Sequence, residues 1–133
     1  MQAAASMMCL LLLFTACTGG GHSHKSEFCG HVSRVEDALL RAKASRESGT
    51  SSDESIRVLR RLRPDVERDV RVFVDEGDDA GAGQARAVSI WVRRVLRGVA
   101  LTFNGFDRVL GPASDAVGGV ESGYCAGVSA GSG

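Results

Sequence analysis

Between residues 29 and 48 apolar side chains recur every three or four positions. Val32, Val35, Leu39 and Ala42 fall on one side of a helix, while Arg34, Asp37, Arg41 and Lys43 fall mostly on the other. That spacing matches the 3.6-residue turn and predicts an amphipathic first helix over 29–48. Asp37 and Arg41 stand one turn apart, the arrangement of a modest surface ion pair. Gly49 suits the left-handed residue that closes a helix, and Ser48-Gly49-Thr50-Ser51-Ser52 breaks the pattern.

The second pattern starts at Ser52 or Asp53, either of which can cap a helix N-terminus, and carries Ile56, Leu59 and Leu62 on its apolar stripe. Pro64 lacks an N–H and disfavours helical geometry at Arg63. With Asp65 and Glu67 behind it, Pro64 reads as a fresh N-terminus, and Val66, Val70, Phe73 and Val74 continue the stripe. Two helices are therefore predicted, 53–62 and 64–76. Residues 75–83 read as a loop. Its acids Asp75, Glu76, Asp78 and Asp79 lack the alternate spacing and closing Glu of a calcium loop. From Gln84 the series Val88, Val92, Val95, Val99 predicts the strongest helix, reaching Phe103 and continuing towards Leu110, with Gly111-Pro112 as its end. Beyond Ala113 the chain is small and glycine-rich, with short helical stretches expected at 114–117 and before Tyr124-Cys125. The last eight residues, 126–133, are expected to be disordered.

Upstream of these patterns lies a run with almost no polar side chain, ending Leu10-Leu11-Leu12-Leu13-Phe14-Thr15-Ala16-Cys17 and followed by Thr18 and three glycines. Its length suits a signal-peptide core and falls short of the ~20 residues that span a bilayer. Phe14-Thr15-Ala16-Cys17 resembles the lipobox of bacterial lipoproteins, with Phe14 standing where Leu is usual. The resemblance implies removal of residues 1–16, a diacylglyceryl group on the Cys17 thiol, and anchoring on the extracytoplasmic side of the cell membrane. Two acyl chains suffice for stable anchoring. Residues 17–28 would then be a flexible tether ahead of a folded domain over 29–125. In layout the chain also resembles small helical lipoproteins of high-GC Gram-positive bacteria: a tether, a Cys at the start of the first helix and a Cys near the end.

Removal of the signal segment leaves a chain of about 117 residues, a single-domain length. Sixteen basic residues balance sixteen acidic ones, so no net charge draws the chain to nucleic acid or an anionic surface. Arg outnumbers Lys fourteen to two, consistent with GC-rich codon usage. Aromatic residues are few, and Trp91, Phe73, Phe103 and Phe106 are the expected large pieces of a core otherwise built from Val, Leu and Ala. Of the four cysteines, Cys9 leaves with the signal segment and Cys17 carries lipid. Cys29 and Cys125 remain, and in an oxidising compartment they most simply pair. The bridge would close a loop of about 96 residues, worth up to about 4–5 kcal/mol in the chain-entropy model. The expected fold is an all-α bundle of about four helices with one disulfide joining its two ends.

Candidate chemistry is sparse. His22, His24 and His31, with Cys29 nearby, form the only metal-like cluster, and imidazole and thiolate suit zinc or copper. The pairing of Cys29 and the glycine-rich setting of His22 and His24 argue against it. Arg57, Arg60, Arg61, Arg63, Arg68 and Arg71 suggest phosphate contact but interleave with the helix stripe as a solvated face would, and an exported protein seldom meets nucleic acid. No histidine follows His31, which leaves the body of the domain without a His-dependent triad. Glu36, Asp37 and Asp107 could pair as carboxylates only through the fold. These readings favour a non-enzymatic module without a cofactor, whose partner is an envelope protein or a small ligand. A metal-handling lipoprotein is the alternative.

Overall fold

The computed structural model describes residues 2–101 and 103–128, with side chains described from His24 onward except at 101–104. Its elements are four helices, α1 (Gln2–Ser48), α2 (Asp53–Asp75), α3 (Asp79–Leu101) and α4 (Phe103–Ser122), with no strand among the described residues. Each packs on two neighbours, α1 on α2 and α4, α3 on α2 and α4, while α1 and α3 barely touch across the diagonal. This is a four-helix bundle with short connections.

The apolar stripes meet at its centre. Val32, Val35, Leu39 and Ala42 of α1 are buried, as are Leu59, Leu62 and Val66 of α2 and Val88, Val92 and Val95 of α3. α4 adds Phe106, Leu110, Ala113 and Val117. Of the four large aromatics expected in the core, Phe73 and Phe106 are buried, Trp91 is half-buried beneath the Arg94 guanidinium, and the Phe103 side chain lies outside those described. Phe28 is wholly buried as well, against Phe73 and Tyr124.

Four expectations about the elements are corrected. The backbone of 17–28, expected as a tether, belongs to α1, and the described part of that segment joins the core. His24 and Phe28 continue the α1 stripe by one more turn and pack on Phe73, a contact that offsets the poor composition around them. Pro64 does not divide α2. It is exposed, so the backbone bond it removes faces water, while Leu59, Leu62 and Val66 hold the opposite side in the core on both sides of it. The expected long third helix starts earlier, at Asp79 within the expected loop, and is two helices, α3 ending at Leu101 and α4 beginning at Phe103, with Gly111-Pro112 inside α4. Gly98 explains the division. A Cβ there would stand 2.9 Å from the Gly105 carbonyl oxygen and 3.2 Å from Phe106 Cα, so the two backbones meet at a corner that only glycine allows. Residues 126–128 form turns, with Val128 packed on the core and its N–H donated to Cys125 O at 3.0 Å; 129–133 lie outside the described residues.

The ends of α1 and α2 share one motif. Gly49 and Gly77 both have φ +73°, and each is bracketed by a pair of backbone bonds: Thr50 N to Ser45 O with Gly49 N to Arg46 O, and Asp78 N to Phe73 O with Gly77 N to Val74 O. These are Schellman closures. Ser52 occupies the N-cap position of α2 without a side-chain bond, whereas Asp78 caps α3 by accepting the Gly81 N–H at 2.9 Å.

Cys29 in α1 and Cys125 beyond α4 are joined, with Cα atoms 5.7 Å apart, tying the first helix to the turn that follows the last. At the opposite end of α1, Arg46 makes a two-pronged contact with Asp107 of α4, Nε to Oδ1 at 2.7 Å and a terminal nitrogen to Oδ2 at 3.0 Å. The two ends of the α1–α4 pair are thus fastened by different chemistry.

Candidate functional site

Two constellations stand out from the packed core. The first is buried between α1 and α2. Asp69 sits on the α2 stripe between Val66 and Phe73 and is fully buried. His31, from the facing turn of α1, places Nδ1 2.6 Å from Asp69 Oδ2. That hydrogen bond raises the His31 imidazole above its ordinary value, against the opposing effect of burial, with the charges of Asp69, Asp65 and Glu27 adding to the rise. His24, two turns earlier in α1, points Nε2 at the other carboxylate oxygen from 3.5 Å and lays its ring edge-on to Phe73 at 4.6 Å. Neither His24 Nε2 nor Asp69 Oδ1 has a hydrogen-bond partner.

His31 and Asp69 thus form a buried hydrogen-bonded pair with the His24 ring beside it. Among the described residues no serine, threonine or cysteine hydrogen-bonds either histidine, so the cluster has no nucleophile to activate. Of the proposed metal ligands, His24 and His31 converge on Asp69 while Cys29 is committed to the disulfide. The His22 side chain lies outside those described, as does Cys17. Among the described residues no three His, Cys, Asp or Glu side chains are arranged to hold a metal ion.

The second constellation is open to solvent. Along the junction of α2 and α3 run three adjoining hollows of about 400, 430 and 440 Å³. Their rims carry Arg60, Arg63 and Arg71 from α2 and Arg86, Arg93 and Arg97 from α3. Val70, Ile90 and Leu96 provide the apolar lining, and Ile90 is 46% exposed. Glu67 is the single carboxylate. It accepts from Arg63 Nε at 3.1 Å and from Arg93 at 3.2 Å, and these guanidinium groups, Arg63 first, hold it below its ordinary value against the effect of partial burial. Among the described residues Arg60, Arg71, Arg86 and Arg97 have no carboxylate at ion-pair distance.

Other residues singled out by sequence are dispersed. Arg57 pairs with Glu54, and Arg68 lies 3.6 Å from both Asp65 and Glu27. Asp37 takes its expected partner Arg41 at 3.0 Å on a well-exposed surface, a pair of little energetic weight. Glu36, Asp37 and Asp107 have separate neighbours: Glu36 lies against Gly118, Asp37 on Arg41 and Asp107 on Arg46.

Asp69 and the α3 half of the arginine groove were missed by sequence reasoning. Asp69 had a signal: with Leu62, Val66 and Phe73 it falls on one helical stripe, and a carboxylate on an apolar stripe implies a buried partner. The α3 arginines had only their one-turn spacing, which any solvated face also shows.

Comparison with protein-family models, with curated proteins and with solved structures finds no match to this chain.

Proposed function

We propose that the chain is a lipid-anchored, extracytoplasmic binding module without catalytic activity, held at a membrane by acylation of Cys17 after removal of residues 1–16. The Cys29–Cys125 bond carries this reading. Such bonds persist in oxidising compartments outside the cytosol, which is where a lipobox would send the chain. With Cys29 and Cys125 paired and Cys9 in the removed segment, Cys17 is the thiol left for lipid. The surface offered to a ligand is the α2–α3 groove, which is open to solvent, whereas the histidine–aspartate cluster is closed off in the core.

Mass spectrometry of the protein extracted from membranes of its native host tests the anchoring. The expected species begins at Cys17, carries the mass of a diacylglyceryl-linked group there, and falls two daltons short of the reduced form. A chain of unprocessed, unmodified mass would overturn the reading.

A further inference from the structure

We propose that the α2–α3 groove is a docking surface for the phosphate headgroups of an anionic phospholipid bilayer. This deepens the reading above and rests on it for the nearness of a membrane. The chain is neutral overall, yet ten of its fourteen arginines lie on α2 and α3. Within the groove six guanidinium groups face one carboxylate, and Glu67 engages only Arg63 and Arg93. The four others are exposed, with no carboxylate at ion-pair distance among the described residues. A planar guanidinium matches phosphate oxygens two at a time, which an ammonium does not.

The lining selects among anions. Val70 and Ile90 line the same hollow as Arg71, Arg86 and Arg93, so apolar surface and cations share it. A free phosphate would use the rim alone. The boundary between headgroup and acyl chain matches both parts. From Arg60 to Arg71 the α2 rim extends about 16 Å at the helical rise, long enough to engage several headgroups together. The acids Asp75, Glu76 and Asp79 gather at the α2–α3 turn, beyond the end of the rim, and limit the contact to the groove.

The test compares the full chain on vesicles of zwitterionic phospholipid with vesicles containing about 30% anionic phospholipid, by co-sedimentation. The run at residues 7–16 partitions into either bilayer, so the readout is the difference between the two. The expected preference for anionic vesicles is about tenfold or more at low salt, and it fades by about 0.5 M salt. The R71E/R86E/R97E variant loses that preference. A control with the same change in net charge, R34E/R61E/R108E, alters exposed arginines outside the groove and keeps it. Circular dichroism checks that both variants fold, and R71Q/R86Q/R97Q replaces the first should it not.

An equal loss in the control would overturn the proposal in favour of diffuse charge, and equal binding to both vesicles would overturn it outright. Tighter, groove-dependent binding of poly-glutamate or a DNA oligonucleotide would overturn it in favour of a soluble polyanion. Acylation of Cys17 is read separately by mass, and the vesicles are supplied. A failed anchor and a failed docking surface are therefore distinguishable.

Discussion

Asp69 occupies a helix position whose neighbours one turn away on either side, Val66 and Phe73, are core residues. A carboxylate there is tolerated because His31 supplies a hydrogen bond at 2.6 Å, and removing one member of such a buried pair typically costs about 3–5 kcal/mol. The pair also couples stability to pH. Because the folded-state value of His31 is raised, its contribution is complete below the ordinary imidazole value of about 6.5 and is lost as pH rises through the raised value. Thermal melts across this interval are expected to show wild type losing stability towards higher pH, and the His31→Gln variant lacking that component. Parallel profiles for the two proteins would contradict the assignment. The partnership itself was beyond reach of the sequence, since the two residues lie 38 positions apart and the helix that carries His31 also carries His24 into the same pocket. What could be read was each residue's place on its own stripe.

At the scale of the helices, glycine acts in two opposite ways. Gly98 is where α3 touches α4, and backbone atoms of Gly105 and Phe106 leave no room for a side chain. Gly83 is exposed in α3 with nothing within 4 Å of an added Cβ. In a helix interior Gly→Ala ordinarily stabilises by up to about 1 kcal/mol. Gly83→Ala is expected to follow that rule, whereas Gly98→Ala is expected to destabilise by about 1–3 kcal/mol because backbone must move. Urea denaturation of the two variants checks the opposed signs.

The same corner explains what the apolar pattern could and could not convey about the elements. Helical type, the α1, α2 and α3 stripes and the cap at Gly49 follow from spacing and a left-handed glycine, all local properties. Pro64 and Pro112 look like boundaries locally. Yet each lies on the exposed side of a helix whose other side is held by the core, and tertiary packing outweighs one lost bond. The true division, between α3 and α4, has no proline at it. It arises from a close approach between helices, which one-dimensional spacing does not encode.

For the molecule as a whole, the disulfide is the longest-range constraint, joining positions 96 apart. Reduction, or Cys29→Ala with Cys125→Ala, is expected to cost up to about 4–5 kcal/mol. For a domain of this size that corresponds to a fall in Tm of up to about 20 °C, read by calorimetry with and without reductant. An unchanged Tm would show that helix packing alone sets the stability. This constraint was legible, because the lipobox reading leaves one pair of cysteines. The groove was half legible: Arg60, Arg63 and Arg71 were visible as a basic run, but the arginines that face them belong to another helix.

The position of the disulfide also determines how the molecule bears force. A pull applied ahead of Cys29 and resisted beyond Cys125 travels through the sulfur–sulfur link, which shunts the load past the 95 residues between them. α2, α3, α4 and the 30–48 part of α1 then hang beside the line of tension and are not stretched by it. A cut in either exposed turn, at Gly49 or Gly77, would leave both fragments covalently joined. The packing that bears the load is then that of His24 and Phe28 on Phe73, just ahead of the link, while the rest of the bundle need withstand only thermal motion.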